Sequence, residues 1–304
     1  MATKIRRIVV AIRDLDQSSR GAMRKAASIA AATGARIELF HALEWPAGGR
    51  FAPYTSDLRR RLERLARLPV FAGLRATAHL ERDYPPHEAI VRRAIATKAD
   101  LVIATVQNPA RGGRLLLRNT DWELIRQCPC PVLLAKSPRG YEKPKVLVAV
   151  DPFHAHAKPA SLDAALLRVG GGFARTLKGS LHAFHSYMPV VDLMPVRVNP
   201  AMPEVEDLHK AQVARAFSDL AKSAGITPAR RHLRMGNVQM QLEAVVRRLG
   251  VQVVVMGAIS RSGLRRIFIG NSAEQVLDAL TCDVLVVKPP GFKTSATRHV
   301  APAA

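Results

Sequence analysis

The sequence contains few aromatic residues, few cysteines and no long apolar run. Phe, Trp and Tyr make up 5% of its 304 residues, which leaves few rings for stacking on nucleic-acid bases. Three cysteines are too few, and odd in number, for a disulfide framework. No apolar run reaches the ~18 residues of a transmembrane helix, and the apolar stretch ending at Arg13 and Asp14 is too short for a secretory signal. We therefore expect a soluble, cytoplasmic protein that does not insert into membranes.

Acidic residues are also scarce relative to basic ones. The chain has 24 Asp and Glu against 46 Lys and Arg, a formal net charge of +22. Residues 1–142 carry 25 basic and 13 acidic side chains (+12), and residues 143–304 carry 21 and 11 (+10), so the excess is spread over the chain. Proteins this basic bind phosphate backbones through counterion release. A nucleic-acid- or anionic-surface-binding module with no bound nucleotide is therefore one candidate function.

The two halves of the chain repeat each other. The segment EAIVRR at 88–93 returns as EAVVRR at 243–248, and CPVLLAK at 130–136 returns as CDVLVVK at 282–288. The second pair is offset by 152 residues, an offset that the apolar segments 101–103 and 253–255 share, so we interpret the chain as a tandem duplication. The predicted domains cover residues 1–138 and 145–290, followed by a flexible tail at 291–304.

Each half alternates short apolar runs with Ala-rich helical stretches. Ser19–Thr33 is such a helix, and Gly34 is a suitable residue to end it. Near-continuous apolar runs are typical of strands buried on both faces of a parallel sheet. The sequence therefore predicts an α/β fold of two tandem, doubly wound, parallel five-stranded sheets flanked by helices. The predicted strands are Arg6–Ile12, Arg36–His41, Arg75–Leu80, Asp100–Thr105, Val132–Ala135, Lys145–Val150, Ser180–His185, Arg230–Leu233, Gln252–Gly257 and Val284–Val287.

The candidate site lies where the first and fourth strands of the second half end, because open parallel sheets bind ligands beyond the carboxyl ends of their strands. The fourth strand ends in Met256 and Gly257, and Asn271 and Ser272 are predicted to begin the next helix. The first N–H groups of that helix would form an anion site. Glycine at Gly257 and at position 270 would let the backbone approach a phosphate closely.

These residues resemble the nucleotide-binding segment of the universal stress protein family, written G-x-x-G, nine residues, then G-[ST]. Gly257 and Gly270 match the first and third glycines, whereas Ser260 replaces the second glycine and Asn271 replaces the final Ser or Thr. Asp151, after the first strand of the second half, matches the aspartate that faces the base and ribose. The segment DWELIRQCPCPV at 121–132 resembles the tandem, E-type members specifically.

The resemblance implies the universal-stress-protein fold, which is similar to that of adenine-nucleotide alpha hydrolases. It also implies a non-enzymatic role in stress adaptation, with ATP or a related nucleotide bound in the second half. No metal is expected beyond Mg²⁺ accompanying the nucleotide, since His154 and His156 fit no zinc spacing. The candidate nucleotide-binding residues are Ala149, Val150, Asp151, Met256, Gly257, Ser260, Gly270, Asn271 and Ser272.

Catalysis is disfavoured, although slow ATP hydrolysis is left open. The sequence has no Walker GxxxxGK[ST] motif, no G-x-G-x-x-G after a strand and no nucleophile elbow. No general base, activated nucleophile or metal clamp is evident beside the candidate site. We therefore predict a protein that is not an enzyme.

The first half departs further from the motif. By the 152-residue offset, Thr105, Asn108 and Arg118 occupy the places of Gly257, Ser260 and Gly270, and Arg13 stands opposite Asp151. Because side chains then stand where the backbone would have to approach a phosphate, we expect no nucleotide in this half.

The family resemblance also implies how the halves assemble, since universal stress proteins commonly pair through their fifth strands. Val132–Ala135 would face Val284–Val287 in an intramolecular pseudo-dimer, and a homodimer of the whole chain is the further option.

Three remaining patterns are given structural interpretations. Cys128 and Cys130 form a C-x-C that enters the fifth strand, for which a structural role is favoured. Gly170–Gly172 lies inside a predicted helix, where packing is preferred to phosphate binding. Asp57–Leu68 places Leu58 and Leu62 on one face among arginines, which is typical of a solvated amphipathic helix; an anionic partner surface is the alternative.

Overall fold

The computed structural model describes most of the chain. The described residues are 5–15, 19–43, 52–106, 117, 119–153, 161–190, 203–258, 271–292 and 294, of which 52–54, 119, 203 and 271–274 are described by their backbone alone.

Ten strands within the described residues form one sheet, in the order β3-β2-β1-β4-β5-β10-β9-β6-β7-β8. Neighbouring strands are parallel within each half, as expected for βαβ units. The strands are β1 Arg7–Ala11, β2 Arg36–Leu43, β3 Ala76–Arg82, β4 Leu101–Thr105, β5 Val132–Ala135, β6 Lys145–Ala149, β7 Ser180–Tyr187, β8 Arg231–Met235, β9 Val253–Gly257 and β10 Asp283–Val287.

All ten predicted strands are present, and the α/β fold with a mostly parallel sheet is confirmed. The two predicted sheets are not separate, however. β5 pairs with β10 in antiparallel fashion, with Leu133 opposite Leu285, and this pairing joins the halves into a continuous sheet. The pairing also covers the two strand edges that would otherwise present unpaired N–H and C=O groups.

Helices flank the sheet on both faces and bury their apolar sides against it. The helix predicted over Ser19–Thr33 is α1, which ends at Gly34 in the left-handed conformation (φ 70°) that glycine favours. The described helices are α1 Arg20–Thr33, α2 Ala52–Ala66, α3 Pro86–Ala96, α4 Asn119–Gln127, α5 Ser161–Thr176, α6 Pro203–Ser223, α7 Val238–Leu249 and α8 Asn271–Ala279.

Two of the sequence patterns lie in helices, as the sequence predicts. The amphipathic segment lies in α2, where Leu58 and Leu62 are buried and Arg59 and Arg60 are exposed. Gly170–Gly172 lies inside α5 and is buried against the sheet. A Cβ atom on the first of these glycines would lie 2.6 Å from Cγ2 of a β6 valine, so close packing requires glycine there.

In each half, the side chain of the lysine that follows the fifth strand contacts the other half. Lys288 Nζ donates to the carbonyl of Ile125 in α4, and Lys136 Nζ donates to the carbonyls of Leu277 and, at 2.7 Å, Leu280 at the end of α8. The two lysines are 152 residues apart, as are Ile125 and Leu277, so the contacts are related by the repeat. Both lysines bind carbonyls near a helix C-terminus, where a cation is favourable.

In the described ranges, no helix has both the length and the apolar character needed to cross a membrane.

Candidate functional site

The first and fourth strands of the second half end side by side, at the sheet edge where the sequence predicts the site. β6 and β9 are adjacent and in register, with Val148 opposite Val255. The chain therefore leaves β6 through Val150 and Asp151 next to the point where β9 ends at Gly257. The structure brings these predicted residues together.

Asp151 begins a local turn at this edge. Its backbone N–H donates to Asp163 Oδ1 of α5 at 3.2 Å, and its own Oδ1 accepts the backbone N–H of Phe153 at 3.3 Å. Asp163 is buried, whereas Asp151 is partly exposed at the rim. The Asp151 carboxylate is therefore oriented by its own turn and is accessible from solvent.

His185 stabilises the same turn from the next strand. Its Nδ1 lies 3.0 Å from the carbonyl oxygen of Val150, and the Val150 N–H donates to the Phe184 carbonyl at 3.0 Å. The first half repeats this contact, with His41 Nδ1 2.7 Å from the Ile12 carbonyl oxygen. The sequence analysis did not identify these histidines. The signal that could have found them is that each half has a histidine at the corresponding place in its second strand.

Gly257 has a packing role that the sequence did not reveal. A Cβ atom on Gly257 would lie 2.7 Å from Leu162 Cδ2 of α5, so the glycine makes room for this leucine beneath the site. Met256 beside it is 9% exposed and packs with the core. The predicted role of Gly257 in phosphate approach stays a prediction.

The predicted phosphate end of the site falls partly outside the described residues. Ser260 and Gly270 belong to the undescribed range 259–270, and Asn271 and Ser272 are described by their backbone alone. The helix predicted to begin at these two residues is present, because α8 starts at Asn271. Their roles as ligand contacts stay predictions.

The equivalent edge of the first half holds a cavity of about 350 Å³. Arg13, which follows β1, reaches across it to Asp121 in the first turn of α4, with Nη2 3.0 Å from Oδ1. The Asp121 side chain is 2% exposed and the Arg13 side chain is 31% exposed, so the carboxylate is buried while the arginine stays partly in contact with water. Sequence analysis missed the pair because its members are far apart in the chain.

Two polar groups in this cavity have no hydrogen-bond partner among the described residues. They are Arg13 Nη1 and Thr105 Oγ1, and both atoms are buried. The remaining lining includes the apolar side chains of Leu43, Ile90 and Leu124. The cavity offers a guanidinium edge and a hydroxyl in an apolar setting. Arg13 occupies the place that Asp151 has in the other half, and the acidic residue of this cavity is Asp121, which is paired with Arg13.

A second cavity, of about 270 Å³, lies between the two halves. Its mostly apolar wall includes Phe173 of α5 and Val287 of β10, and its polar lining includes Asp100, Arg168 and Lys288.

No group of three or more His, Cys, Asp or Glu side chains suited to a metal ion occurs among the residues that the structure describes. His154 and His156 lie outside those residues.

Comparison with known proteins gives a consistent result over nearly the whole chain. The model of the family described as "Universal stress protein family" matches residues 4–136 and again residues 144–288. Universal stress protein E of Escherichia coli K12 is 30% identical over 220 residues, which cover 69% of this chain and 67% of that protein. Universal stress protein E of Photorhabdus laumondii is 26% identical over 296 residues, which cover 92% of this chain and 94% of that protein.

Solved structures share the fold over the same span. A protein of unknown function from Pseudomonas aeruginosa PAO1 matches with a TM-score of 0.72 at 24% identity, over 95% of this chain and 94% of its own. A universal stress protein from Archaeoglobus fulgidus matches with a TM-score of 0.66 at 16% identity, over 95% and 99%. Shorter universal stress proteins, matching 44% and 43% of this chain with TM-scores of 0.35, were solved in complex with dAMP and with cAMP.

Proposed function

The chain belongs to the universal stress protein family and carries the family's domain twice; we propose that its second half binds an adenine nucleotide or a related nucleotide-linked small molecule. The protein would act in stress adaptation without catalysing a reaction, by changing its interactions when the ligand is bound. We assign no catalytic residue.

The observation that carries this proposal is the difference between the two strand-end sites. In the second half an accessible carboxylate, Asp151, lies beside the end of β9. In the first half Arg13 stands at the corresponding place and is held by Asp121 at 3.0 Å. A carboxylate can accept hydrogen bonds from ribose hydroxyls and from the base, whereas an arginine paired with an aspartate cannot.

The remaining contacts follow from the motif and the helix geometry. Ala149, Val150 and Met256 would border the base and ribose. The backbone at Gly270, Asn271 and Ser272 would hold phosphate at the start of α8, where unpaired N–H groups and the helix dipole favour an anion. Mg²⁺ would enter only with the nucleotide.

Two measurements on the full chain test the proposal. Mass spectrometry of small molecules released from the purified, denatured protein identifies any ligand that is retained from the cell. Calorimetric titration with ATP, ADP and AMP then determines whether adenine nucleotides bind. The proposal expects at least one of these nucleotides to bind with one-to-one stoichiometry. Absence of binding by all three to the folded, ligand-free protein, together with release of no nucleotide-linked molecule from the purified protein, would contradict it.

We also propose that the pairing of β5 with β10 is an intramolecular pseudo-dimer of domains 1–138 and 145–290 in a cytoplasmic protein. The antiparallel register supports this arrangement, as do the reciprocal contacts of Lys136 and Lys288. Separately expressed halves should then self-associate or precipitate, since each would expose its fifth strand. Two well-behaved monomeric halves would contradict this arrangement.

A second candidate function is binding to nucleic acid or another anionic surface, favoured by the exposed Arg59, Arg60 and Arg64 on α2 and by the net charge of +22. Binding to duplex DNA at low and at physiological salt tests it. Because phosphate contacts are sensitive to salt, collapse of binding at physiological salt would leave only nonspecific attraction.

A further inference from the structure

Cys128 and Cys130 bring their sulfur atoms close together at the end of α4. The two Sγ atoms are 3.5 Å apart. The Cys128 N–H donates to the Leu124 carbonyl at 2.9 Å, which continues the helix by one residue, and β5 begins at Val132. The short connection therefore lies between two ordered elements, and its two thiols face each other.

A lysine from the other half lies beside this pair. Lys288 Nζ is buried and donates to the carbonyl of Ile125, three residues before Cys128. Burial lowers the pKa of Lys288 to about 7, although the two nearby cysteines act to raise it. The hydrogen bond from Cys130 lowers the pKa of Cys128, and the charge of Lys288 lowers it further. The same hydrogen bond, together with burial, raises the pKa of Cys130.

The two thiols differ in their access to solvent. Cys128 is fully buried, whereas Cys130 is partly exposed. The residues on either side of Cys130, Pro129 and Pro131, line the cavity of about 270 Å³ between the halves, as does Lys288. The pair therefore lies beside a cavity large enough to hold a small oxidant.

The third cysteine provides a natural comparison within the same chain. Cys282 follows Cys130 by 152 residues, but Leu280 stands where the first half has Cys128. Burial raises the pKa of Cys282 to about 12. Both halves therefore have a cysteine just before the fifth strand, and only the first half has a second cysteine two residues earlier.

We propose that Cys128 and Cys130 are a peroxide-sensitive thiol pair that closes to an intramolecular disulfide. The sulfur atoms need to approach by about 1.5 Å to reach bonding distance. This modification site is independent of the proposed nucleotide pocket.

The reaction uses hydrogen peroxide as the oxidant. The Cys128 thiolate takes the proton of Cys130, and Cys130 attacks one peroxide oxygen as the thiolate. The O–O bond breaks, and the leaving hydroxide takes that proton from Cys128 and departs as water. Cys130 is then a sulfenic acid, and Cys128 is again a thiolate. The Cys128 thiolate attacks the Cys130 sulfur, the S–S bond forms, the S–O bond breaks, and the second hydroxide takes a proton from solvent and leaves as water. The two thiols lose two electrons and two protons, and the peroxide becomes two molecules of water.

Lys288 acts here as a positioning residue, because it favours the Cys128 thiolate that resolves the sulfenic acid. Thiolate, not thiol, is the attacking form. Each unit by which the pKa of Cys128 rises above the working pH lowers its thiolate fraction about tenfold.

Peptide mapping after peroxide treatment tests the proposal on the full chain. Trypsin releases residues 127–136, which contain both Cys128 and Cys130, whereas Cys282 falls in a different peptide. The proposal expects the 127–136 peptide to lose the mass of two hydrogen atoms and to resist alkylation until it is reduced with a thiol. Cys282 should stay reduced under the same conditions. Retention of two free thiols, over-oxidation to sulfinic acid without a disulfide, or a disulfide between chains would each overturn it.

Two lysine variants distinguish an effect of Lys288 on thiol reactivity from an effect on the contact between the halves. Lys288→Gln and Lys136→Gln each remove one of the paired contacts between the halves, but only Lys288 lies beside the thiol pair. Lys288→Gln should slow disulfide closure measurably and shift its pH profile to higher pH, because loss of the lysine charge raises the Cys128 pKa and lowers its thiolate fraction. Lys136→Gln should leave both unchanged. Equal effects of the two variants would mean that Lys288 acts through structure alone, and the role given to it would be wrong.

Discussion

Lys25 and Asp283 form an ion pair that links the two halves inside the protein, with Nζ 3.3 Å from Oδ2 and both side chains fully buried. Asp283 also accepts the Tyr141 hydroxyl at 2.7 Å and the backbone N–H groups of Lys136 and Ser137 at 2.8 and 3.0 Å. Because the carboxylate is fully hydrogen-bonded, the loss of hydration on burial is largely offset.

Removing either partner of this pair should strongly destabilise the protein. Asp283→Asn leaves the Lys25 ammonium buried without its counter-ion, and Lys25→Met leaves the carboxylate without its cation. We expect each to lower the free energy of unfolding by about 3–5 kcal/mol, measured by urea denaturation. The double variant should be less destabilised than the sum of the two single variants.

An exposed ion pair provides the control for this measurement. Asp57 and Arg60 are 4.0 Å apart on α2, with side chains 52% and 70% exposed. Asp57→Asn should cost less than about 1 kcal/mol. If Asp283→Asn costs no more than Asp57→Asn, the buried pair does not stabilise the junction of the halves.

A buried histidine pair should make the second half sensitive to acid. His182 Nδ1 lies 3.0 Å from His232 Nε2, and the rings stack with centroids 5.3 Å apart. Burial, with smaller contributions from His182 and nearby arginines, lowers the pKa of His232 from 6.5 to about 4. The pKa of His182 is also lowered, chiefly by burial. The basic groups involved are Lys145, Arg230, Arg234 and Arg248.

The sign of the effect follows from these lowered pKa values. The unfolded chain binds protons at His232 below pH 6.5, whereas the folded chain binds them only near pH 4. The free energy of unfolding should therefore fall as the pH falls through this window, by about 3 kcal/mol at most, and level off below it. His232→Leu should flatten this part of the stability profile.

His79→Leu is the matched control for the histidine pair. His79 pairs in register with Phe40 in the first half as His232 does with Phe184 in the second, but it is partly exposed. Urea denaturation between pH 7 and pH 4 should give His79→Leu the wild-type slope. A slope in His232→Leu equal to that of the wild type would show that the buried pair does not titrate as described.

Neighbouring glycines in α5 should respond differently to the same substitution. A Cβ atom on Gly170 would lie 2.6 Å from Cγ2 of Val148, whose branched side chain on β6 is stiff. A Cβ atom on Gly171 would have Leu181 Cδ2 as its nearest neighbour, at 3.4 Å. Gly170→Ala should lower the free energy of unfolding by about 1–3 kcal/mol through overpacking. Gly171→Ala should be neutral or stabilising by up to about 1 kcal/mol, since alanine favours helix. Equal thermal stability of the two variants would contradict the packing described for Gly170.

The sequence was sufficient to predict the ten strands and the alternation of strands with helices. Buried parallel strands require continuous apolar runs, and a glycine such as Gly34 marks where a helix ends, so both leave local signals in the chain. The joining of the sheets through β5 and β10 leaves no such signal, and family resemblance alone suggested it.

The candidate site was predictable in position but not in detail. The position of Asp151 just after β6 and the start of α8 at Asn271 could be located from strand order and capping residues. The ion pair of Arg13 with Asp121 could not, because it depends on how α4 packs beside β1. The contact of Leu162 with Gly257 likewise depends on packing, since a glycine in a sequence does not reveal what approaches it.

The most direct test of this account is calorimetric titration of the nucleotide that binds the wild type most tightly into Asp151→Ala and Arg13→Ala. Asp151→Ala should weaken binding about tenfold or more, because a hydrogen bond to a charged group contributes about 1.5–3 kcal/mol. Arg13→Ala should leave the dissociation constant within about twofold, since distant sites act independently. Weakened binding in Arg13→Ala with unchanged binding in Asp151→Ala would show that the first half, not the second, holds the nucleotide.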